Sequence, residues 1–273
     1  ITAGLDYEIY DRVNNASRFV VGHNGTVSIP GTLSVGSFSP TNIAITSGTV
    51  KLDGNYPVGT GNVALGDTAL DAVSSSGNYN VAIGMYSLTS LSEGDYNTAV
   101  GYNSGAYIST GTQNALFGSN AGDAITTGNN NTALGYLSLS AEDTTNGNTA
   151  IGASALQVQD GASNNTAVGY QAGDAVTDGG NNTLIGSSAG TSITSGSNNV
   201  CIGQAAGNVL TTGSNNVYIG RDIDAGATNR VNEIAIGGSS AGAGSNTVTL
   251  GNGSISSLHC QVQSISALSD KRD

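Results

Sequence analysis

A short pattern of alternating polar and apolar side chains returns along most of the chain. Residues 129–136 read NNNTALGY, and close variants lie at 97–102 (NTAVGY), 148–153 (NTAIGA) and 165–170 (NTAVGY). In a strand, successive side chains point to opposite faces, so asparagine and alanine share one face while threonine and the large apolar residue share the other. Each copy therefore predicts a short β-strand that ends at a glycine.

The copies follow a fixed period. The closing glycine recurs first after a step of 18, then nine times at steps of 17, and a final step of 14 ends the series. These glycines are Gly66, Gly84, Gly101, Gly118, Gly135, Gly152, Gly169, Gly186, Gly203, Gly220, Gly237 and Gly251. A period this constant indicates a repeat architecture, and its length suits one coil of a β-solenoid. We predict an all-β rod, with stacked coils about 4.8 Å apart and a length of roughly 55–60 Å.

Asparagine stands four residues before the closing glycine in ten consecutive repeats. The ten are Asn62, Asn80, Asn97, Asn114, Asn131, Asn148, Asn165, Asn182, Asn199 and Asn216. In a stack of coils each amide lies over the one below, so the side chains can hydrogen-bond to one another along the stack. We predict a structural asparagine ladder.

The remaining columns separate small residues from large ones. The residue before the glycine is always large and apolar, and the residue two before it is mostly alanine, with Leu116, Leu184, Cys201 and Tyr218 as exceptions. A large apolar residue seven after the glycine, such as Ile108, is predicted to plug the coil interior. An alanine face is too apolar for water and too small to fill a core. We therefore expect the alanine face, including Cys201 as a small buried residue, to pack against copies of the chain about a three-fold axis. The isoleucine and threonine face would then fill the interior.

The sequence divides into three predicted regions. Residues 1–60 form an N-terminal connector, in which RFVVGHNGTVSIPG at 18–31 predicts a β-hairpin around an Asn24-Gly25 turn. Residues 61–251 form the repeat array, and residues 252–273 form a polar C-terminal tail.

Composition and charge exclude several kinds of partner. The chain has 41 glycines among 273 residues, no tryptophan and a formal net charge of -12. No lysine or arginine lies between Lys51 and Arg221, so neither nucleic acid nor an anionic membrane finds the cations that it needs. No run of eighteen apolar residues exists, which excludes a membrane-spanning helix. The cysteines and histidines match no metal-ligand spacing, and we expect no cofactor, no metal and no catalytic residue.

Tyrosines are the candidate binding residues. Tyr102, Tyr136 and Tyr170 each follow a closing glycine, and they recur at twice the repeat period, hence on every second coil. They are candidate glycan contacts, or alternatively they fill corners where the coil bends. Asp123 and Asp174 occupy equivalent loop positions where calcium could bind. The aspartate-rich nonapeptide of calcium β-rolls is absent, so these acids are expected to be solvated.

The repeat resembles a known family. NTAVGYNSGA, NTALGYLSLSA and NTAIGASAL are similar to the head repeats of trimeric autotransporter adhesins and of phage tail fibres that share them. The resemblance covers the whole repeat array, 61–251. It implies a left-handed parallel β-roll in which three chains interlock into a homotrimer. The 17-residue period is longer than that of the adhesin heads, which implies a larger outer loop.

The last residues resemble a second feature of phage proteins. ALSDKRD is similar to the junction at which the intramolecular chaperone of tailspikes and fibres begins, and there the chaperone cuts itself off. The resemblance implies a scissile bond between Ser269 and Asp270, with Arg272 as the matching basic residue. Such cleavage would be carried out by a chaperone domain beyond Asp273.

These features predict a non-catalytic fibre segment of a virion, in a phage tail fibre or spike. It would lie on the extracellular virion surface, join other fibre or baseplate proteins and attach to a host-surface glycan or protein. One alternative is the head of a bacterial trimeric adhesin on the cell surface. Another is a polysaccharide-degrading tailspike, which would need a carboxylate pair in a groove on wider coils. An ice-binding solenoid needs an outward threonine array, whereas Thr98, Thr132, Thr149, Thr166 and Thr183 are expected to point inward.

Overall fold

The computed structural model of the protein describes residues 59–74, 76–141 and 144–257, together with three strands near the N terminus. The chain divides into two units, Ile1–Lys51 and Leu52–Asp273. The first contains β1 (Tyr7–Asp11), β2 (Ala16–Val21) and β3 (Val27–Ser28), which pair antiparallel in the order β1-β2-β3.

The hairpin predicted in this first unit has its turn at Asn24-Gly25, which lies outside the described residues. The backbone of Val21 pairs with that of Val27 on either side of this segment. The turn itself stays a prediction, as do the residues of the connector between 32 and 58.

The second unit is built on one parallel sheet of twelve strands, each three residues long and paired with its neighbours in sequence order. The strands are β4 (Val63–Leu65), β5 (Val81–Ile83), β6 (Thr98–Val100), β7 (Ala115–Phe117), β8 (Thr132–Leu134), β9 (Thr149–Ile151), β10 (Thr166–Val168), β11 (Thr183–Ile185), β12 (Val200–Ile202), β13 (Val217–Ile219), β14 (Ile234–Ile236) and β15 (Val248–Leu250). Equivalent residues pair from coil to coil, as Ala133 does with Ala150. The prediction of an all-β solenoid whose coils match the sequence period is confirmed.

Glycine is required at the closing position for two reasons, its backbone conformation and the close approach of the next coil. From Gly66 to Gly237 its φ lies between 126° and 146°, a range open to glycine alone. A Cβ atom on Gly101 would lie only 2.4 Å from the carbonyl oxygen of Gly118. Any side chain at this position would therefore push neighbouring coils apart.

Turns make up the rest of each coil in the described residues. The sequence period alone does not decide whether this part is a strand or a helical turn. The coils remain hydrogen-bonded to one another here: the Leu70 amide donates to the Ser87 carbonyl at 3.1 Å, and the Leu139 amide donates to the Ala155 carbonyl at 3.0 Å. The stack is thus held by backbone bonds on more than its sheet side.

The assignment of the two strand faces predicted from the sequence is wrong. From the second coil onward, the alanines two residues before the glycine, including Ala99 and Ala133, point into the coil and are fully buried. The large residues beside the glycine point outward, and Leu134 remains 50% exposed. The reason is volume: turn residues such as Ile108 and Ile125 already fill the narrow interior, which leaves room only for alanine on the strand.

The exceptions to alanine are explained by compensation inside the coil. Several coils carry alanine on the strand and leucine four residues after the glycine, as with Ala133 and Leu139. Where the strand instead supplies Leu116, the two adjacent turns carry glycine. A Cβ atom at Gly105 or Gly122 would lie 2.8 Å from a methyl group of Leu116.

A second strand leucine follows the same rule. Leu184 lies between Gly173 and Gly190, where added Cβ atoms would meet its methyl groups at 2.5 and 2.7 Å. One leucine therefore fills the space that two turn leucines fill elsewhere, and interior volume is conserved along the stack.

Cys201 and Tyr218 extend this interior column toward the C-terminal coils. Cys201 was predicted to face an axis between chains, but it lies inside the coil, and burial raises its thiol pKa to about 12. The Tyr218 hydroxyl donates to the carboxylate of Glu233 at 2.8 Å, and both residues are fully buried. The Gly244 amide donates to the other carboxylate oxygen at 2.6 Å.

Candidate functional surface

The ten predicted ladder asparagines lie in one buried file. From Asn80 onward, each backbone amide donates to the side-chain oxygen of the asparagine on the preceding coil, as Asn97 does to Asn80 at 2.8 Å. The side-chain amide donates to a backbone carbonyl on the following coil, as Asn97 does to Gly111 at 2.8 Å. The oxygen and the amide of these side chains bond to neighbouring coils. The asparagines therefore hold the coils in register and are not available to a ligand.

Glu233 takes the ladder position on the coil that follows Asn216. Its amide donates to the Asn216 side-chain oxygen at 2.8 Å, so the backbone part of the ladder continues for one more step. Glutamate has no side-chain amide N–H group, so Glu233 does not donate onward as asparagine does. The buried ladder ends there, next to the shortened last coil.

A second ladder, not predicted from the sequence, runs along the surface two residues before the first. The Thr112 amide donates to the Asn129 side-chain oxygen at 2.8 Å, and the Asn129 amide donates to that of Asn146 at 2.8 Å. Farther along, the Ser197 amide donates to the Ser214 hydroxyl oxygen at 3.1 Å. The backbone amides of this second ladder donate to the following coil, whereas those of the buried ladder donate to the preceding coil. The signal in the sequence is a column of residues that mostly have a short side chain carrying an oxygen.

The sheet presents one continuous apolar surface. We call the residues one and three positions before the closing glycines, from β4 to β15, the outer face. Its large column comprises Leu65, Ile83, Val100, Phe117, Leu134, Ile151, Val168, Ile185, Ile202, Ile219, Ile236 and Leu250, all half-buried or exposed. At about 4.8 Å a step the stripe extends for roughly 50 Å, longer than the isolated apolar patches usual on soluble monomers.

Threonines share the outer face with this stripe. Thr98, Thr132, Thr149, Thr166 and Thr183 were expected to point inward, but they lie on the outer side of the sheet and are half-buried. Four of them pair in unbroken register from Thr132 to Thr183. The direction of these threonines was predicted wrongly for the same reason as the two strand faces, because threonine and the large apolar residue lie on the same side of each strand.

The three candidate glycan contacts occupy one corner of the solenoid. Tyr102, Tyr136 and Tyr170 are 50%, 56% and 57% exposed, so they do not fill a bend in the coil. The carbonyl of each accepts an amide N–H from the next coil at 2.9 Å. Their backbones are therefore held in equivalent positions while their rings remain in contact with solvent.

Other tyrosines cluster on the first coils. Tyr79 and Tyr96 stack with ring centres 5.1 Å apart and planes 11° from parallel. Tyr86 meets Tyr102 edge to face at 6.0 Å. Tyr107, which does not directly follow a closing glycine, is 61% exposed. Among the described residues, exposed tyrosine rings are thus concentrated near β5 and β6 and continue along the corner.

The loop acids do not assemble into a metal centre. Burial raises the pKa of Asp123 and of Asp174, while the Asn103 side chain donates to Asp123 at 3.2 Å and partly offsets that effect. Among residues 59–257 as described, no group of three or more His, Cys, Asp or Glu side chains is placed to hold a metal ion. Nor does any helix in this part of the chain have the length and apolarity to cross a membrane.

The proposed cleavage junction, Ser269 and Asp270, lies outside the described residues and stays a prediction. Comparison of the chain with known protein families, with curated proteins and with solved structures gives no match. The resemblance to adhesin heads and phage fibres therefore depends on the short motifs alone. The outer face and the tyrosine corner are the features that bear on function.

Proposed function

We propose that this chain is a non-catalytic segment of an extracellular fibre, in which three copies pack their outer faces together and present the tyrosine corners to a host surface. The observation that carries the proposal is the outer face, a sheet side with apolar residues at every step that the single chain leaves uncovered. Association would bury this stripe, and apolar burial is the main driving force for stable protein assembly.

The outer face takes the role that the alanine face was expected to have. The alanines of the later coils are already buried within each chain, so of the two strand faces it is the outer face that offers apolar surface to a partner. Identical copies related by a closed rotation present equal faces to one axis and cover the stripe along its whole length. The choice of three copies is supported by the resemblance to trimeric adhesin heads and shared phage-fibre repeats.

A phage tail fibre or spike is the assembly that we favour. The Ser269-Asp270-Lys271-Arg272 sequence directly after a fibre-like repeat supports it, because it resembles the start of a self-cleaving chaperone. The segment would then lie on the virion surface, between other fibre or baseplate proteins and a host-cell glycan or protein. The head of a bacterial trimeric surface adhesin is the alternative, distinguished by what the gene encodes after Asp273.

A polysaccharide-degrading tailspike is less well supported. Glycoside hydrolysis commonly uses two carboxyl groups no more than about 9.5 Å apart. The two equivalent loop acids, Asp123 and Asp174, lie three coils apart, a separation of about 14 Å along the stack. They cannot flank one glycosidic bond.

Ice binding is a second candidate because the threonine file faces outward. Against it, the neighbouring column mixes Phe117 with leucine, isoleucine and valine, so that the surface is not flat. Thermal hysteresis decides between the two: we expect none, and hysteresis that disappears in Thr149→Tyr would favour ice binding.

Light scattering coupled to size-exclusion chromatography tests the proposed assembly. We expect a mass three times that of the 27.0 kDa chain. Leu134→Asp should give a monomer because it places a charge at the axis. Val158→Asp is the matched control, since Val158 is also 50% exposed but lies in a turn, and this variant should remain trimeric. A wild-type chain that stays monomeric and folded at micromolar concentration would refute the proposal.

A further inference from the structure

The three corner tyrosines have a regular spacing along the stack. They lie two coils apart, and two strand spacings amount to about 9.6 Å. The register between β6 and β10 is unbroken, and the carbonyls of Tyr102, Tyr136 and Tyr170 make the same bond to the next coil. The spacing is therefore imposed by the backbone.

The residues between these tyrosines are small. Ser119 and Ala153 occupy the equivalent position on the intervening coils. By contrast, Tyr79 and Tyr96 lie on consecutive coils and stack on each other, which removes one ring face of each from contact with a ligand. Alternation with a small residue keeps the corner rings apart from one another. All three remain at least half exposed, although the Tyr102 ring also meets Tyr86 edge to face.

We propose that this file of three tyrosines binds a linear, neutral, β-linked polysaccharide that lies along the solenoid with one tyrosine for each disaccharide. In an extended β-linked chain the same sugar face recurs every second residue, over a length close to that of two coils. The C–H groups on that face carry partial positive charge and stack on the negative face of an aromatic ring. The inference rests on the proposed glycan contact and specifies its ligand.

The charge of the surface selects among polysaccharides. The array carries no lysine or arginine from residue 52 to residue 220, while acids recur in its loops. A polyanionic capsule would be repelled by such a surface, since nothing neutralises its carboxylates or sulfates. Gln171, which directly follows Tyr170, offers an amide group suited to neutral hydroxyls. The Asn103 side-chain amide beside Tyr102 already donates to Asn120 and Asp123.

Chain-length dependence is the sharpest consequence. Titration calorimetry of the full chain with β-1,4-linked gluco-, manno- and xylo-oligosaccharides should find at least one series that binds. Its affinity should rise from the disaccharide to the tetrasaccharide and again to the hexasaccharide, and then level off, because there are three tyrosines. Hyaluronate, as an anionic β-linked polymer, should not compete.

Substitution locates the site. Tyr136→Ala removes the central ring and should weaken hexasaccharide binding by about tenfold, the loss of one aromatic stacking contact. Tyr136→Phe keeps the ring and should retain most of the affinity. Tyr107→Ala is the control, because Tyr107 is at least as exposed but lies outside the file.

The inference is overturned if no neutral series binds, if affinity is independent of chain length, or if Tyr136→Ala binds as well as Tyr107→Ala. Binding to hyaluronate alone or to a host protein alone would overturn it too. Light scattering on the same samples keeps the two proposals separate. A trimer that binds no neutral polysaccharide refutes only this inference, whereas a monomer that binds with the expected length dependence refutes only the fibre assembly.

Discussion

The two side-chain ladders differ in burial, and the difference decides how strictly their sequences are constrained. Both use side-chain oxygens to accept backbone amides from a neighbouring coil. The buried ladder has asparagine in ten consecutive coils, whereas the surface column contains asparagine, aspartate, threonine, serine and, at Gly180, no side chain at all. Inside the coil no water replaces a missing bond, so both the donor and the acceptor of the amide are required. At the surface water supplies whatever the side chain lacks.

The largest effect is expected from removing one buried rung. Asn97→Ala deletes the acceptor for the Asn114 amide and the donor to the Gly111 carbonyl, and leaves both groups buried without a partner. We expect a loss of about 4 kcal/mol, the sum of two such penalties, in urea unfolding followed by circular dichroism. A loss below about 1 kcal/mol would mean that water enters the coil and that burial is not what constrains the column.

Interior volume gives the next largest effect. Leu116→Ala should cost about 3 kcal/mol by leaving a cavity between Gly105 and Gly122. Adding Gly122→Leu recreates the arrangement of Ala133 with Leu139 and should recover more than half of the loss. Gly122→Leu alone should be destabilising, because its side chain would overlap Leu116. If the double variant is no more stable than Leu116→Ala, the compensation argument is wrong.

A smaller loss is expected at the end of the buried ladder. Tyr218→Phe removes the hydrogen bond to the buried Glu233 carboxylate and should cost about 2 kcal/mol. The effect should be local: relative to wild type, amide hydrogen exchange should become faster in β14 and β15 and stay unchanged in β8. Tyr136→Phe is the matched control, since that hydroxyl is on an exposed corner, and it should leave exchange unchanged. Equal exchange rates in Tyr218→Phe and wild type would show that the hydroxyl bond contributes nothing.

The smallest effect is expected from removing one surface rung. Asn129→Ala removes a surface rung that accepts the Thr112 amide and should cost about 0.5 kcal/mol, because water can bond to the exposed groups. The same urea experiment as for Asn97→Ala checks it. Equal losses in the two variants would contradict the role assigned to burial.

The sequence was sufficient for the period, the strand positions and the asparagine column, because each depends only on spacing. It was not sufficient for the orientation of the strand. Alternation shows that Thr132 and Leu134 share a face but not that the face is outward. Volume could have decided it: Leu139 and the plug residues of neighbouring coils already fill the coil, so a second large residue per strand does not fit inside.

The candidate surface was predicted in part. Spacing placed Tyr102, Tyr136 and Tyr170 on one corner, but their exposure depends on the turn geometry, which the sequence left open. The role of Glu233 was missed because the ladder was counted only over asparagines. A glutamate at the ladder position, with Tyr218 replacing an alanine one coil earlier and a shortened last coil, was the available signal.

The most direct test of the central claim, that the outer face is where copies meet, is site-specific photo-crosslinking. Benzoylphenylalanine in place of Leu134 should give interchain adducts on irradiation, and mass spectrometry should locate them on outer-face residues of a second copy. The same group in place of Val158, which is equally exposed in a turn, should give none. Adducts from position 158 but not from position 134, or no interchain adduct from either, would contradict the account.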